Sequence, residues 1–472
     1  MYKDIVRVDK SLRSYQQTAK SEIFAAWDEC DNVMFQMPTG TGKTRLFTSI
    51  ISDIKAWGIL AQEEPKILII AHRVELIEQI SENLDRYKVN HGIIAGGKER
   101  NLRPLVQVAS IQTITHRTNR DVACSLGVDF IIIDEAHHSV ANSYKKLWEL
   151  YPSAKKLGVT ATPWRMNHLG FTSIYDKLIV SKSIKEFIRE GWLAPYCYYS
   201  IKDNSKIRQG ISGIDEFDIE GDYKVSALER VMDKVSIRAN LLDSYIRLAK
   251  GKKGIIYSIS RKHSEHICEE FKRAGINIVR IDSETPREER RTYVQRFRNG
   301  QIDIIVNVDI FSEGFDCPDI EFIQLARPTK SLVKYLQQVG RGLRPTGSKE
   351  KCIILDNVGS HIEFDLPNAD RDWNMEFEGV STPRRKKNSS PNLVGVEFRE
   401  RNYDEGSDDL YLIDNVDANV QNIDNRSIWT REDDNLLRTL YIERRCPISI
   451  IASVFDRDEA SINERIVNLN LV

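Results

Sequence analysis

No stretch of this 472-residue sequence stays apolar for the ~18 residues that a membrane-crossing helix needs, which argues against a helical membrane protein. The first ten residues, Met1 to Lys10, are polar and charged and carry no apolar signal core. Cysteine is scarce: seven residues, at positions 30, 124, 197, 268, 317, 352 and 446, with no C-x-x-C pair among them. That removes the usual basis for a structural zinc site or a disulfide framework and suits a reducing, cytoplasmic setting. An excess of one charge is also missing. Lys plus Arg number 68 against 69 Asp plus Glu, for a formal net charge of −1. Any hold on a phosphate backbone must therefore come from local patches.

What is present is an ordinary soluble balance, 41 % hydrophobic and 29 % charged, in a chain too long for one core. Strand-like apolar runs are expected at Asn32–Gln36, Lys66–Ala71, Val106–Ser110, Phe130–Asp134 and Lys156–Thr160, with helices such as Lys43–Trp57 and Val74–Tyr87 between them. Nearly continuous apolar strands alternating with helices read as a parallel sheet covered on both faces. Residues 200–225 are polar and break the pattern. A second series follows, with strands at Lys253–Ile259, Asn277–Ile281, Asp303–Val308, Glu321–Ala326 and Lys351–Asp356, and helices at Arg261–Ala274, Pro286–Asn299 and Ser331–Arg341. Beyond Asp356 come a basic run, Pro383–Lys387, and an acidic, Asn-rich stretch at 400–425, together reading as a linker.

The strongest local signal is Met37-Pro38-Thr39-Gly40-Thr41-Gly42-Lys43-Thr44, set between an apolar strand and a helix. Glycines let backbone N–H groups converge on phosphate oxygens, and the helix N-terminus adds its positive end. Lys43 reaches β- and γ-phosphates in such a loop, and Thr44 holds Mg²⁺. Met37 stands where the general pattern has glycine, so the loop is a variant. The buried run Phe130–Ile133 opens into Asp134-Glu135-Ala136-His137 at the strand end where open α/β sheets bind ligands. Asp134 suits the Mg²⁺ shell and Glu135 the polarisation of an attacking water. Alone, two acids there would also fit a solvated turn or a helix cap. A phosphate loop on the same sheet favours the chemical reading.

These residues resemble motifs I and II of superfamily 2 helicases of the D-E-A-H type, and further motifs follow in order. Leu12-Arg13-Ser14-Tyr15-Gln16 resembles the adenine-reading segment. Ala71-His72-Arg73 and Ser110-Ile111-Gln112-Thr113 resemble the strand-contacting motifs Ia and Ic. Thr160-Ala161-Thr162-Pro163 resembles motif III, Gly254–Ser260 motif IV and Ser312-Glu313-Gly314-Phe315-Asp316 motif V. Gln337-Gln338-Val339-Gly340-Arg341-Gly342-Leu343-Arg344 resembles motif VI. The likeness runs over residues 10–358 and is nearest to RadD-like and type III restriction helicases. It implies an α/β fold of two RecA-like parallel-sheet lobes closing on ATP and Mg²⁺.

Under the resemblance, Arg13, Gln16, Thr39, Gly40, Thr41, Gly42, Lys43, Thr44, Gly314, Asp316 and Gln337 bind nucleotide. Thr44 and Asp134 hold the metal. Lys43, Glu135, Arg341 and Arg344 carry hydrolysis, the two arginines reaching across from the second lobe as a finger. His137, Thr160 and Thr162 couple hydrolysis to movement, and Arg73, Ser110 and Thr113 contact nucleic acid. Motif V departs from many relatives, with Ser312-Glu313 before its glycine. The cysteine zinc cluster of some RadD-like relatives is missing.

Residues 428–472 regain helical periodicity. Leu436, Leu437, Leu440 and Tyr441 form one apolar face. Ile448, Ile451, Ala452, Val454 and Phe455 form a second, and Ala460, Ile462, Ile466 and Leu469 a third. Three short helices resemble a Myb-like helix-turn-helix module. From Trp429 to Val472 there are eight acids against six Lys or Arg, so protein docking stays open beside DNA reading. The expected plan is lobe one at 1–200, an inter-lobe excursion at 201–235, lobe two at 236–360, a partly disordered linker at 361–427 and a small all-α domain at 428–472. The expected function is a nucleic-acid-stimulated ATPase acting as a DNA helicase or translocase, in repair or phage defence. An RNA helicase, or an ATP-gated DNA clamp or switch recruiting a partner nuclease or effector, remains as an alternative.

Overall fold

The computed structural model describes residues 2–308, 319–346, 349–380 and 407–416 continuously, with scattered single residues between 437 and 469. Motif V, Ser312–Asp316 with Gly314 and Asp316, lies outside the described residues.

Two seven-stranded sheets organise the chain. The first uses β1 (Asn32–Gln36), β2 (Ile67–Ala71), β3 (His91–Ile94), β4 (Val106–Ser110), β5 (Phe130–Asp134), β6 (Lys155–Thr160) and β7 (Lys177–Val180). Their order is β3-β4-β2-β5-β6-β1-β7, all parallel. Every residue of β2, β4 and β5 is buried, as strands covered on both faces require. Three helices matter for the site: α1 (Ser14–Glu29), α2 (Lys43–Ala61) and α3 (Val74–Arg86). In α2, Leu46, Phe47, Ile50, Ile51 and Ile54 recur at helical spacing and are wholly buried, so this face anchors the helix that carries Lys43.

The second sheet uses β8 (Tyr196–Ser200), β9 (Gly254–Tyr257), β10 (Ile278–Ile281), β11 (Ile304–Asn307), β12 (Phe322–Leu325), β13 (Cys352–Asp356) and β14 (Tyr411–Val416), in the order β10-β11-β9-β12-β13-β8-β14. Its helices include α4 (Arg261–Arg273), α5 (Arg287–Arg298) and α6 (Leu332–Gly342). The α6 segment is buried on nearly all sides, against both the sheet and the first lobe's phosphate loop.

Two expected boundaries shift. Lobe one does not extend to residue 200: Tyr196–Ser200 pairs in parallel with Cys352–Asp356, so this strand belongs to the second sheet. Nor are residues 361–427 a plain linker. Helix α7 (Trp373–Glu378) returns to lobe one, where Phe377 enters the core beside Tyr144, Ile174 and Tyr175 and stacks on Phe171 with ring centroids 6.3 Å apart. The chain then supplies β14 beside β8. Asn415 Oδ1 accepts from Cys197 Sγ at 3.1 Å and from Lys351 Nζ at 3.0 Å.

Residues 416–472 form a separate compact unit. Its described part is an apolar cluster of Leu437, Ile451, Ile462 and Ile466, flanked by Tyr441, Ile448 and Leu469. Each of the three apolar faces read from the sequence contributes. The rest of the expected helices, with Ala452, Val454, Phe455 and Ala460, lies outside the described residues.

Candidate nucleotide site

The strand order β5-β6-β1 sets three loops side by side at the carboxyl ends of the strands. Gln36 pairs with Thr160 and Asp134 with Val159, so the loops leave the sheet at one level. This crevice is where open α/β sheets take ligands.

The loop after β1 turns through Gly40 at φ 89° and Gly42 at φ 91°, in the left-handed region that glycine enters without penalty. Thr41 ties the loop internally, its hydroxyl donating to Pro38 O at 2.6 Å. Lys43 opens α2 and its amine donates to Met37 O at 3.3 Å. Burial holds the Lys43 amine below its usual pKa. Glu135 and Asp134 oppose that shift, and Arg344 and Arg341 reinforce it. Three cations and two carboxylates thus share one crevice.

The segment before the loop is bound to it. Tyr15 OH donates to Thr41 O at 2.7 Å, and Gln16 Nε2 donates to Thr41 O and Gly42 O, each at 3.1 Å. Gln16 Oε1 accepts from the Arg13 backbone at 3.0 Å. The Arg13 guanidinium donates to Tyr15 OH at 3.0 Å and lies 4.9 Å from the Trp192 ring centroid. Arg13 and Gln16 therefore buttress the phosphate loop in this structure. Tyr15, quoted in that segment without a role, and Trp192, missed from sequence because aromatic packing carries no motif, belong to the same assembly.

Glu135 follows β5 with φ 52° and ψ 52°, a left-handed conformation that costs a non-glycine residue about 1 kcal/mol or more. Its carboxylate lies 3.4 Å from His137 Nδ1. That nitrogen shares a 3.1 Å hydrogen bond with Thr160 Oγ1, which also accepts the Thr162 N–H at 3.1 Å. Glu135, His137, Thr160 and Thr162 are thus brought into one chain of contacts spanning two strand ends.

Helix α6 completes the crevice from the second lobe. A β-carbon built on Gly340 would stand 2.7 Å from Thr39 Cβ, and one on Gly40 3.2 Å from Arg344 Cγ. Arg341 is 4 % exposed, and its charge bears on the buried Tyr257 phenol. Burial raises that phenol to about 12 while the Arg341 and Arg344 charges oppose the shift. Gln337, on the same helix, is buried, with no hydrogen-bond partner at Nε2 among the described residues. The donor set fits a nucleoside triphosphate with a hard divalent cation: open backbone at two glycines, one amine, two guanidiniums, two carboxylates and the Thr44 hydroxyl.

On the adjoining face, Ser110 is buried and its hydroxyl donates to Gln112 Oε1 at 2.6 Å. Gln112 Nε2 in turn donates to His72 O at 3.0 Å. Arg73 stands at the N-cap of α3, and Thr113 O accepts from Asn119 Nδ2 at 2.7 Å. Two ion pairs bridge the lobes here: Glu75 with Arg290 at 3.2 Å, and Glu78 with Arg287, both arginines on α5.

Residues 9–165 match the family model described as the res subunit of type III restriction enzymes, and residues 236–346 that of the helicase conserved C-terminal domain. A 51.5 kDa protein of a Lactococcus phage (isolate 7-9) is 37 % identical over 357 residues, covering 75 % of this chain and 72 % of that protein. The chain belongs to the superfamily 2 helicases. The Saccharomyces cerevisiae protein named as ATP-dependent helicase IRC3 is 30 % identical over 440 residues, 88 % of this chain. The chain spans 58 % of that longer relative. The Sulfurisphaera tokodaii protein named DNA 3'-5' translocase XPB2 is 26 % identical over 375 residues, 73 % of this helicase and 80 % of that protein. As a member of this superfamily, the helicase is a nucleic-acid-stimulated ATPase with two RecA-like lobes.

Proposed function

We propose that this helicase couples ATP hydrolysis to movement along DNA, with Arg341 and Arg344 completing the site in the closed state. The observation that carries the reading is the seating of α6 on the phosphate loop, Gly340 against Thr39. A ligand gripping both surfaces favours closure, and loss of its terminal phosphate weakens that grip. Lys43 draws the β- and γ-phosphates, with Arg13, Gln16, Thr39, Gly40, Thr41, Gly42 and Gln337 forming the rest of the nucleotide's bed. Glu135 accepts the proton of the attacking water. The arginines balance charge developing on the transferred phosphoryl group, a role worth roughly 10³–10⁵ in rate elsewhere. Thr44 and Asp134 would hold Mg²⁺, which when bound neutralises phosphate charge. His137, Thr160 and Thr162 relay the state of Glu135 to the sheet.

DNA is preferred over RNA because the S. tokodaii relative is named a DNA translocase and the N-terminal match is to a restriction subunit. Arg73, Ser110 and Thr113 would meet the strand, Ser110 through its bond to Gln112. The compact unit at 416–472 serves as a helix-turn-helix accessory, reading DNA or docking a partner. The test is ATPase stimulation by single- and double-stranded DNA and RNA, run beside strand-displacement and translocation assays. DNA is expected to stimulate most. Stimulation by RNA alone would reassign the substrate.

A further inference from the structure

Between the two sheets, residues 215–224 fold back on themselves. Phe217 bridges Tyr223 in antiparallel fashion, and the Asp218 carboxylate accepts the backbone N–H groups of Glu220 and Asp222 at 2.9 and 3.0 Å. Gly221 sits at the tip with φ 92°. The outer residues are exposed, Ile219 completely so, yet Asp222 is 1 % exposed. A buried carboxylate needs strong partners; besides the Tyr223 N–H within the turn, at 3.0 Å from Oδ1, those of Asp222 lie at and just before the start of α6. Its Oδ2 accepts from Thr329 Oγ1 and from Lys334 Nζ, both at 2.9 Å, and its Oδ1 from the Lys330 N–H at 2.8 Å. Thr329 Oγ1 accepts in turn from the Ser331 N–H at 3.0 Å, and Ser331 is the N-cap of α6, its hydroxyl receiving the Lys334 N–H at 3.3 Å. Burial opposes ionisation, but Lys334 and the Lys330 N–H outweigh it and keep the carboxyl below its usual range. The negative charge also lies at the favourable end of the helix dipole.

The other side of this turn meets lobe one. A β-carbon on Gly221 would stand 3.1 Å from Met166 Sδ. Met166 lies in the loop that leaves Thr160-Ala161-Thr162-Pro163. The turn is therefore lodged between the exit of motif III and the cap of the helix whose far end carries Arg341. Arg341 stands ten positions after the cap Ser331, a rigid lever of roughly 15 Å.

We propose that Asp222 is a positioning residue for ATP hydrolysis: from a turn lodged against the Met166 loop, it fixes the cap of α6 and so sets where Arg341 and Arg344 stand over the phosphate loop. This rests on the finger reading of those arginines. An error of ~1 Å in placing a catalytic group can cost about 10²-fold in rate, so the lever has consequence without touching nucleotide.

The test uses the full chain and measures DNA-stimulated turnover, KM for ATP, DNA affinity and melting temperature. Asp222→Asn keeps the shape and removes the charge. Its expected effect is a fall in kcat of about tenfold or more, with KM, DNA affinity and melting temperature held, since the loss is one of alignment. Lys334→Gln, less buried and safer for folding, should lower kcat in the same way by a smaller factor. The deciding measurement adds Asp222→Asn to a chain already carrying Arg341→Ala and Arg344→Ala. If Asp222 acts through the arginines, it costs nothing further there. An equal further loss in that background would overturn the proposal, as would a kcat loss that follows loss of folded protein. If Arg341→Ala with Arg344→Ala abolishes stimulated turnover while Asp222→Asn and Lys334→Gln do not lower it, the proposal fails alone. If the arginine pair can be removed without effect, the finger reading fails and takes the proposal with it.

Discussion

Gly340 and Thr39 come from different lobes and meet with no room between them: a methyl group on Gly340 would stand 2.7 Å from Thr39 Cβ. Gly340→Ala should therefore hold the finger helix off the phosphate loop. Alanine favours a helix over glycine by about 1 kcal/mol, so α6 itself should not suffer. The expected outcome is a fall in stimulated ATP turnover of about 10²-fold with DNA affinity in the absence of nucleotide retained. Unchanged turnover would mean that this contact is not part of the working closed state.

Lys43 and Glu135 should separate binding from chemistry. Lys43→Ala removes the amine from the loop and should weaken nucleotide binding. Glu135→Gln should bind nucleotide normally yet hydrolyse it more slowly by about 10²–10⁴-fold, because an amide cannot take up the proton. Binding of a fluorescent analogue and turnover at saturation distinguish the two. Wild-type hydrolysis by Glu135→Gln would remove it from the role of base.

Acid should weaken lobe two through His263. This side chain on α4 is fully buried, and burial pulls its pKa from 6.5 to about 4. Asp233 resists that shift, while Arg238 and His266 add to it. Between those values the unfolded chain binds a proton that the native one refuses, so stability falls as pH drops from 6.5 towards 4 and is unaffected above. The full depression corresponds to about 3 kcal/mol. Denaturant midpoints measured from pH 7.5 to 4.5 should decline less steeply in His263→Gln. Parallel curves would show that another group carries the effect.

Truncation should separate motor from tail only at the right place. A chain ending at Val416 keeps β14 and should retain DNA-stimulated ATPase. One ending at Val380 bares the edge of β8 and loses the Asn415 contacts with Cys197 and Lys351. It should be less stable and prone to self-association, as uncovered strand edges are. Phe377→Ala should destabilise lobe one by about 3 kcal/mol, the scale of emptying a buried aromatic site. Light scattering and thermal melts of the three chains test this directly.

The central strands could be read from sequence because they are buried on both faces. Asn32–Gln36, Val106–Ser110 and Phe130–Asp134 were expected with the bounds observed. The strands not expected lie at or near sheet edges, where β7 is exposed at both ends and half-buried between them and β14 is nowhere fully buried. Tyr196–Ser200 offered only aromatic alternation and sat just before a polar stretch, so its sheet was decided by tertiary pairing. The site shows the same division. Lys43, Asp134 and Glu135 stand out because their spacing is tied to a strand end. Trp192 beneath Arg13 and Asp222 beneath α6 do not, since each acts on a motif distant in the chain.

The return of α7 to lobe one, followed by β14 beside β8, means that the chain passes between the lobes three times within its described frame. The halves are interlaced, each holding a piece of peptide that belongs by sequence to the other's side. A recombination event that exchanged one lobe for a relative's would bring in a core without its Phe377, or an edge without its covering strand. The two lobes of this motor should therefore be inherited as a pair, with substitutions along Phe171, Phe377 and the β8 edge following one another through descent.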